Sequence, residues 1–116
     1  MTGYKNLDVW QKSITLVTNV YQLVKLLPKE ETYALSDQIR RSAVSIPSNI
    51  AEGSSRNSKK EFIQFLYISL GSLCELETQL LIAKNVGYIS NTEKINTEMI
   101  SIKKMLNALI TSIKNT

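Results

Sequence analysis

Apolar residues recur at alternating intervals of three and four along almost the whole of this 116-residue chain, and that period commits it to α-helix. Leu7, Trp10, Ile14, Val17, Tyr21 and Val24 form an unbroken seam of this kind. Val9, Leu16, Val20, Leu23 and Leu27 make a second row beside it. The apolar face is therefore wider than a two-stranded coil needs, as expected of a helix that packs on two neighbours or on another subunit. Pro28 ends this first helix, because the residue before a proline is pushed out of the α region.

Three more helices follow from the same period. The second starts soon after Lys29-Glu30-Glu31, whose acidic residues suit the positive end of a helix dipole, and its core row is Leu35, Ile39, Ala43, Ile46 and Ile50. Pro47 lies within that row without shifting its phase, which predicts one kinked helix rather than two. Gly53-Ser54-Ser55 reads as the terminator, with glycine just past the end. The third opens on the capping box Ser58-Lys59-Lys60-Glu61. It carries Phe62, Leu66, Leu73, Leu76, Leu80 and Ala83 on one seam, with Ser69 at the missing step, and Gly87 ends it. Gly71 and Ser72, small and mid-helix, would let another backbone come close. A second capping box, Ser90-Asn91-Thr92-Glu93, precedes a helix with Ile95, Met99, Ile102, Leu106, Leu109 and Ile113. Short connections make neighbouring helices antiparallel, so the expected fold is all-α, an up-down-up-down four-helix bundle in a single domain over residues 1–116. Only four glycines and two prolines interrupt the chain, and 43% apolar with 21% charged residues is ordinary for a globular core.

Little chemistry is on offer. There is no histidine, the commonest general base and metal ligand. Cys74, the lone cysteine, sits among Leu70, Leu73 and Leu76 and reads as a buried, inert thiol; no intrachain disulfide can form. Glu75 and Glu77 point to different sides of one helix, and no phosphate loop or dinucleotide glycine pattern is present. The expectation is a non-enzymatic protein without metal or cofactor. Met1-Thr2-Gly3-Tyr4-Lys5-Asn6 lacks the build of a signal peptide and no apolar run approaches the roughly 18 residues of a membrane span, which predicts a cytoplasmic protein. The net charge of +4 is spread along the chain, with no basic tail.

The unusual stretch is residues 38–53. At about 100° per residue, Gln38, Arg41, Ser45, Asn49 and Glu52 fall in one polar stripe beside the apolar row. Short hydrogen-bonding side chains of this kind suit a network to a neighbouring helix or subunit, with Arg41 and Glu52 compensating one another; a ligand surface is the alternative. An active site at Arg41, Asn49 and Glu52 beside Tyr33 is the remotest reading.

The same stretch carries a resemblance. Leu27-Pro28-Lys29-Glu30-Glu31, Tyr33-Ala34-Leu35, Gln38 to Ala43 and Ser45-Ile46-Pro47-Ser48-Asn49-Ile50-Ala51-Glu52-Gly53 resemble the 23S rRNA intervening-sequence protein family. Arg56, Phe62, Phe65-Leu66, Gly71-Ser72-Leu73 and Glu75-Leu76-Glu77 continue the likeness, as does Leu7 with Trp10-Gln11. The resemblance implies a four-helix protomer assembling into a homopentamer. Some members are encoded inside intervening sequences of ribosomal RNA genes. A related protein, the accessory variability determinant of diversity-generating retroelements, is a basic pentamer that partners a reverse transcriptase and its RNA. The expectation is an RNA or ribonucleoprotein accessory factor that binds RNA or DNA by backbone electrostatics through Arg40, Arg56, Lys59 and Lys60, with Lys103 and Lys104 as weaker candidates. The alternative is a scaffold for a protein partner such as a reverse transcriptase, with no direct nucleic-acid contact.

Overall fold

The structure is a computed structural model and describes residues 3–116. Met1 and Thr2, which the signal-peptide reading includes, lie outside the described residues. Four helices make up the fold: α1 (Asp8–Val24), α2 (Leu35–Ser54), α3 (Lys59–Asn85) and α4 (Glu93–Lys114). Short 3-10 turns at Tyr4–Asn6 and Lys29–Glu31 precede α1 and α2. Contacts run α1 to α2, α2 to α3, α3 to α4 and α4 back to α1, with none across either diagonal. This is a four-cornered, up-and-down bundle, a rod of 46 × 24 × 19 Å.

The core rows of α2 and α3 are those the periodicity predicts. Ile39, Ala43, Ile46 and Ile50 have no solvent exposure, and neither do Leu66, Leu73 and Leu76. α2 runs unbroken through Pro47, which is itself buried. Ser69, at the step where α3 lacks an apolar residue, is fully buried and donates its hydroxyl to the Ile46 carbonyl at 2.9 Å. A polar group in that position is tolerated because its partner is built into the facing helix.

α1 differs from expectation. The row that faces the core is Val9, Leu16, Val20, Val24 and Leu27, with Ser13 among them, while Ile14 and Tyr21 of the predicted seam are exposed. Trp10 and Val17 are half-buried on the flank toward α2. Two adjacent apolar rows lie on α1, and α2 and α4 together cover the second. α1 also stops at Val24, before Pro28, and Lys25–Leu27 closes it in hydrogen-bonded turns.

Gly53 is no terminator. It lies inside the last turn of α2, buried, and a Cβ there would stand 2.6 Å from the Cβ of Phe65. It is a close-approach glycine between α2 and α3. Gly87 does what the sequence implies, with φ +90° just past α3. Ser58 caps α3, accepting from the Glu61 N–H at 3.2 Å. The second capping box fails: α4 begins at Glu93, and its first N–H donates to the Asn91 side chain at 3.2 Å. On α4 the buried row is Ile95, Met99, Ile102, Leu106 and Ile110, with Leu109 and Ile113 half-buried.

Candidate interaction surfaces

The polar stripe of α2 splits in two. Its middle faces α3: the Ser45 and Ser72 hydroxyls are 2.8 Å apart, and the Asn49 amide donates to the Ser45 carbonyl and hydroxyl, both at 2.8 Å. Ser42, outside the predicted stripe, donates to the Gln79 side chain of α3 at 2.7 Å. Together with Ser69 on the Ile46 carbonyl, these bonds fix the register of α2 on α3. The ends of the stripe do not join it. Arg41 pairs with Asp37 one turn away, Nε to Oδ2 at 2.8 Å, and Glu52 pairs with Arg56 at 3.5 Å. The expected Arg41–Glu52 compensation is absent because eleven residues of helix, about 16 Å, separate them. Gln38 is exposed. Tyr33 is 95% exposed, so Arg41, Asn49, Glu52 and Tyr33 converge on no common centre.

The cationic candidates also separate. Arg40 is half-buried near the start of α2, where its guanidinium donates to the Thr32 carbonyl at 3.0 Å and so holds the 3-10 turn before the helix. Arg56 is sixteen residues on, about 24 Å along the rod. It lies in the α2–α3 turn with its guanidinium 5.1 Å from the centre of the Phe65 ring, and Lys59 and Lys60 follow, exposed, in the first turn of α3. Three cations in five positions therefore crowd one end of the bundle, with Glu52 and Glu61 the nearby carboxylates. Lys103 is tied across to Glu77 of α3 at 2.8 Å, a bond that raises its pKa even against partial desolvation, and Lys104 is exposed. At the opposite end the Tyr88 hydroxyl donates to Glu31 at 2.9 Å, clasping the α3–α4 connection to the α1–α2 connection. That bond, then desolvation and the negative charge of Glu31 and Glu30, raise the pKa of Tyr88.

Cys74 is exposed, not buried. It stands on the outward side of α3 in a shallow depression with Glu77, Thr78, Leu81, Asn96 and Ile100. The outward side has its own 4-3-4-3 period: Tyr67, Gly71, Cys74, Thr78 and Leu81 are all exposed, with Ile68 and Ile82 beside them. The same period stands in the sequence, but α3 is apolar nearly all round, so periodicity alone does not separate the outward row from the core seam. α3 is by length and composition apolar enough to cross a membrane, with one apolar face in the bundle core and another on the outside. The surface depressions include one of about 620 Å³ beside the α3–α4 connection, and among the described residues no group of three metal-ligating side chains is found.

Such a molecule belongs to the class of small four-helix-bundle proteins whose distinguishing features are surfaces: a cationic turn and apolar outer faces. A family model described as 23S rRNA-intervening sequence protein matches residues 5–108, and the chain belongs to this family. It is similar to a crystallised protein of unknown function from the S23 ribosomal protein family of Bacteroides thetaiotaomicron, with 33% identity and a TM-score of 0.80 over 88% of this chain and 97% of that one. A comparison with curated proteins gave no match.

Proposed function

We propose that this protein is a non-enzymatic homo-oligomer, a pentamer, that acts in the cytoplasm as an RNA or ribonucleoprotein accessory factor. The observation that carries the reading is the exposed Arg56-Lys59-Lys60 cluster at one end of the rod. In a cyclic assembly every copy of a residue stands at the same height on the axis, so these turns form one cationic circle on one rim. A ring of like charge focuses a field that a +4 monomer lacks, and phosphate backbones are its natural counterpart. The basic side chains are not interleaved with a platform of aromatic rings, which favours backbone contact over base readout. Membership of a family named for ribosomal RNA intervening sequences supports an RNA partner, and a polymerase-associated role like that of the retroelement accessory protein extends the same reading.

The test is fluorescence anisotropy with a structured RNA across about 50 to 200 mM salt, where each phosphate contact adds about 0.9 to the salt slope. An Arg56→Ala, Lys59→Ala, Lys60→Ala triple variant should lose most affinity and flatten the slope while its oligomer persists. Equal affinity and slope would remove the cluster from RNA binding. A second reading draws on the exposed apolar residues of α3: a scaffold for a protein such as a reverse transcriptase. Under it the triple variant keeps its partner and the wild type ignores RNA at every salt.

A further inference from the structure

An up-and-down bundle brings the start of α1, the α2–α3 turn and the end of α4 to one end of the rod. Lys5, in the turn before α1, and Lys114, in the last turn of α4, therefore join Arg56, Lys59 and Lys60 there, and both are exposed. The cation–ring contacts of the described residues lie at this end as well. Arg56 stands over Phe65, and the Lys114 ammonium is 5.4 Å from the centre of the Tyr67 ring. In the sequence Lys114 and Tyr67 are forty-seven residues apart; only the fold makes them neighbours.

The rings near this end differ in what they leave open. Tyr4 and Trp10 are half-buried and pack edge to face, with centres 5.2 Å apart. Phe62 and Phe65 are half-buried against Gly53, and Arg56 covers Phe65. Tyr67 is 49% exposed, and Lys114 donates to its hydroxyl at 3.1 Å, which holds the ring by one end. Tyr67 shares a side of α3 with Lys60, since seven residues are close to two full turns, about 10.5 Å. Exposed Gln64 lies between them. Gly71, one turn beyond the ring, has nothing within 4 Å of where a Cβ would stand, so the space on that side of Tyr67 is open.

A ring flanked by Lys60 and Lys114 offers what an unpaired nucleotide needs. The base stacks on the ring while its phosphates meet the charges, and every base has a face to give. A base paired and stacked inside a duplex has none free. One ring reads no sequence, in keeping with contact through the backbone at the α2–α3 turn.

We propose that Tyr67, held by Lys114, stacks one unpaired base of an RNA whose backbone lies on Arg56, Lys59 and Lys60. The proposal rests on the RNA reading above. It adds the form of the partner, RNA with an unpaired segment rather than a continuous duplex, and the residue that recognises it.

The experiment is fluorescence anisotropy on the full chain with a labelled, unstructured RNA of about 12 nucleotides, within the range of lengths such surfaces cover, and with the same strand annealed to its complement. Tyr67→Ala should bind the single strand about 5- to 100-fold more weakly than the wild type, the effect of losing one stacked base, and should bind the duplex equally well. Tyr67→Phe keeps the ring and should match the wild type on both. The salt slope of Tyr67→Ala on the single strand should be unchanged, because a stacked base releases no counterions, whereas Lys114→Ala should lower it by about 0.7. Both positions are exposed, so each variant should keep its helical circular dichroism. Equal losses on single strand and duplex, no loss on either, or a Tyr67→Phe protein as weak as Tyr67→Ala would overturn the stacked base and leave the cationic turn standing. A wild type that ignores both RNAs, or an Arg56→Ala, Lys59→Ala, Lys60→Ala variant that binds as the wild type does, overturns the RNA reading itself and the stacked base with it.

Discussion

Gly53→Ala adds one methyl group at the tightest crossing of the bundle. Its Cβ would lie 2.6 Å from Phe65 Cβ, 3.0 Å from Phe62 Cδ1 and 3.3 Å from the Phe62 carbonyl oxygen. Carbon atoms in contact normally stand about 3.5–4.0 Å apart, so α2 and α3 must part locally by about 1 Å. The Phe62 ring can turn away. The Cβ of Phe65 cannot, because the backbone of α3 fixes it. Overpacking of this kind costs about 1–3 kcal/mol. Alanine recovers up to about 1 kcal/mol through helix propensity, less in a last turn. The net loss should be about 1–2 kcal/mol against a total of about 5–15. Urea unfolding followed by circular dichroism, with parent and variant at the same protein concentration, keeps any contribution of assembly equal in the comparison. With an m-value of about 1–3 kcal/mol/M the midpoint should fall by about 1 M. Gly71→Ala at the same concentration is the control: nothing lies within 4 Å of its Cβ, and it should raise stability by about 0.5–1 kcal/mol. A Gly53→Ala midpoint at or above that of its parent would refute the close approach of α2 to α3 and the role given to the glycine.

Ile46→Asp should leave the protein unfolded, since it puts an unpaired carboxylate at a position with no exposure, a cost of several kcal/mol; a soluble, fully helical variant would mean that the facing of α2 is wrong. Ser69→Ala should lower the urea midpoint by the equivalent of about 1 kcal/mol through loss of its bond to the Ile46 carbonyl, and an unchanged midpoint would count against that bond. Arg40→Ala should cost about 1 kcal/mol of stability with no change in RNA affinity, because its guanidinium holds the Thr32 carbonyl; a loss of RNA affinity at unchanged stability would return Arg40 to the nucleic-acid surface. Tyr88 and Lys103 both have folded pKa values raised above 10.0 and 10.5 by their bonds to Glu31 and Glu77. A raised pKa contributes stability below the unfolded value and loses it as pH rises through the folded one, so the melting temperature should fall above about pH 10. Tyr88→Phe combined with Glu77→Gln should shallow that fall, and an identical pH profile for the double variant would refute the assignment.

The class of fold was written in the sequence. Four seams at three-and-four spacing, with Gly and Pro confined to a few positions, allow little but a helical bundle, and short connections make it antiparallel. The core row of α2 was legible because polar residues flank it closely enough to leave one choice of facing, and on α3 Ser69 marks the one step of the core seam that needs a partner. The polar stripe was legible as a set of residues. Its partners were not, since Ser45 reaches Ser72 across twenty-seven residues of chain while Arg41 finds Asp37 one turn away.

Tertiary structure decided whatever depended on which side of a helix meets a neighbour. α1 carries two apolar rows less than half a turn apart, and a period cannot say which of them α2 and α4 will cover; they cover Leu16 and Val20 and leave Ile14 and Tyr21 outside. On α3 the ambiguity runs all round the helix, so Cys74 looks buried beside Leu73 in the sequence and stands in solvent in the fold. Gly53 is the same lesson in the backbone: a terminator by position, but in the folded bundle the point where two helices come too close for any side chain. Periodicity is a property of one helix alone, whereas burial belongs to pairs of helices and is settled only when they pack.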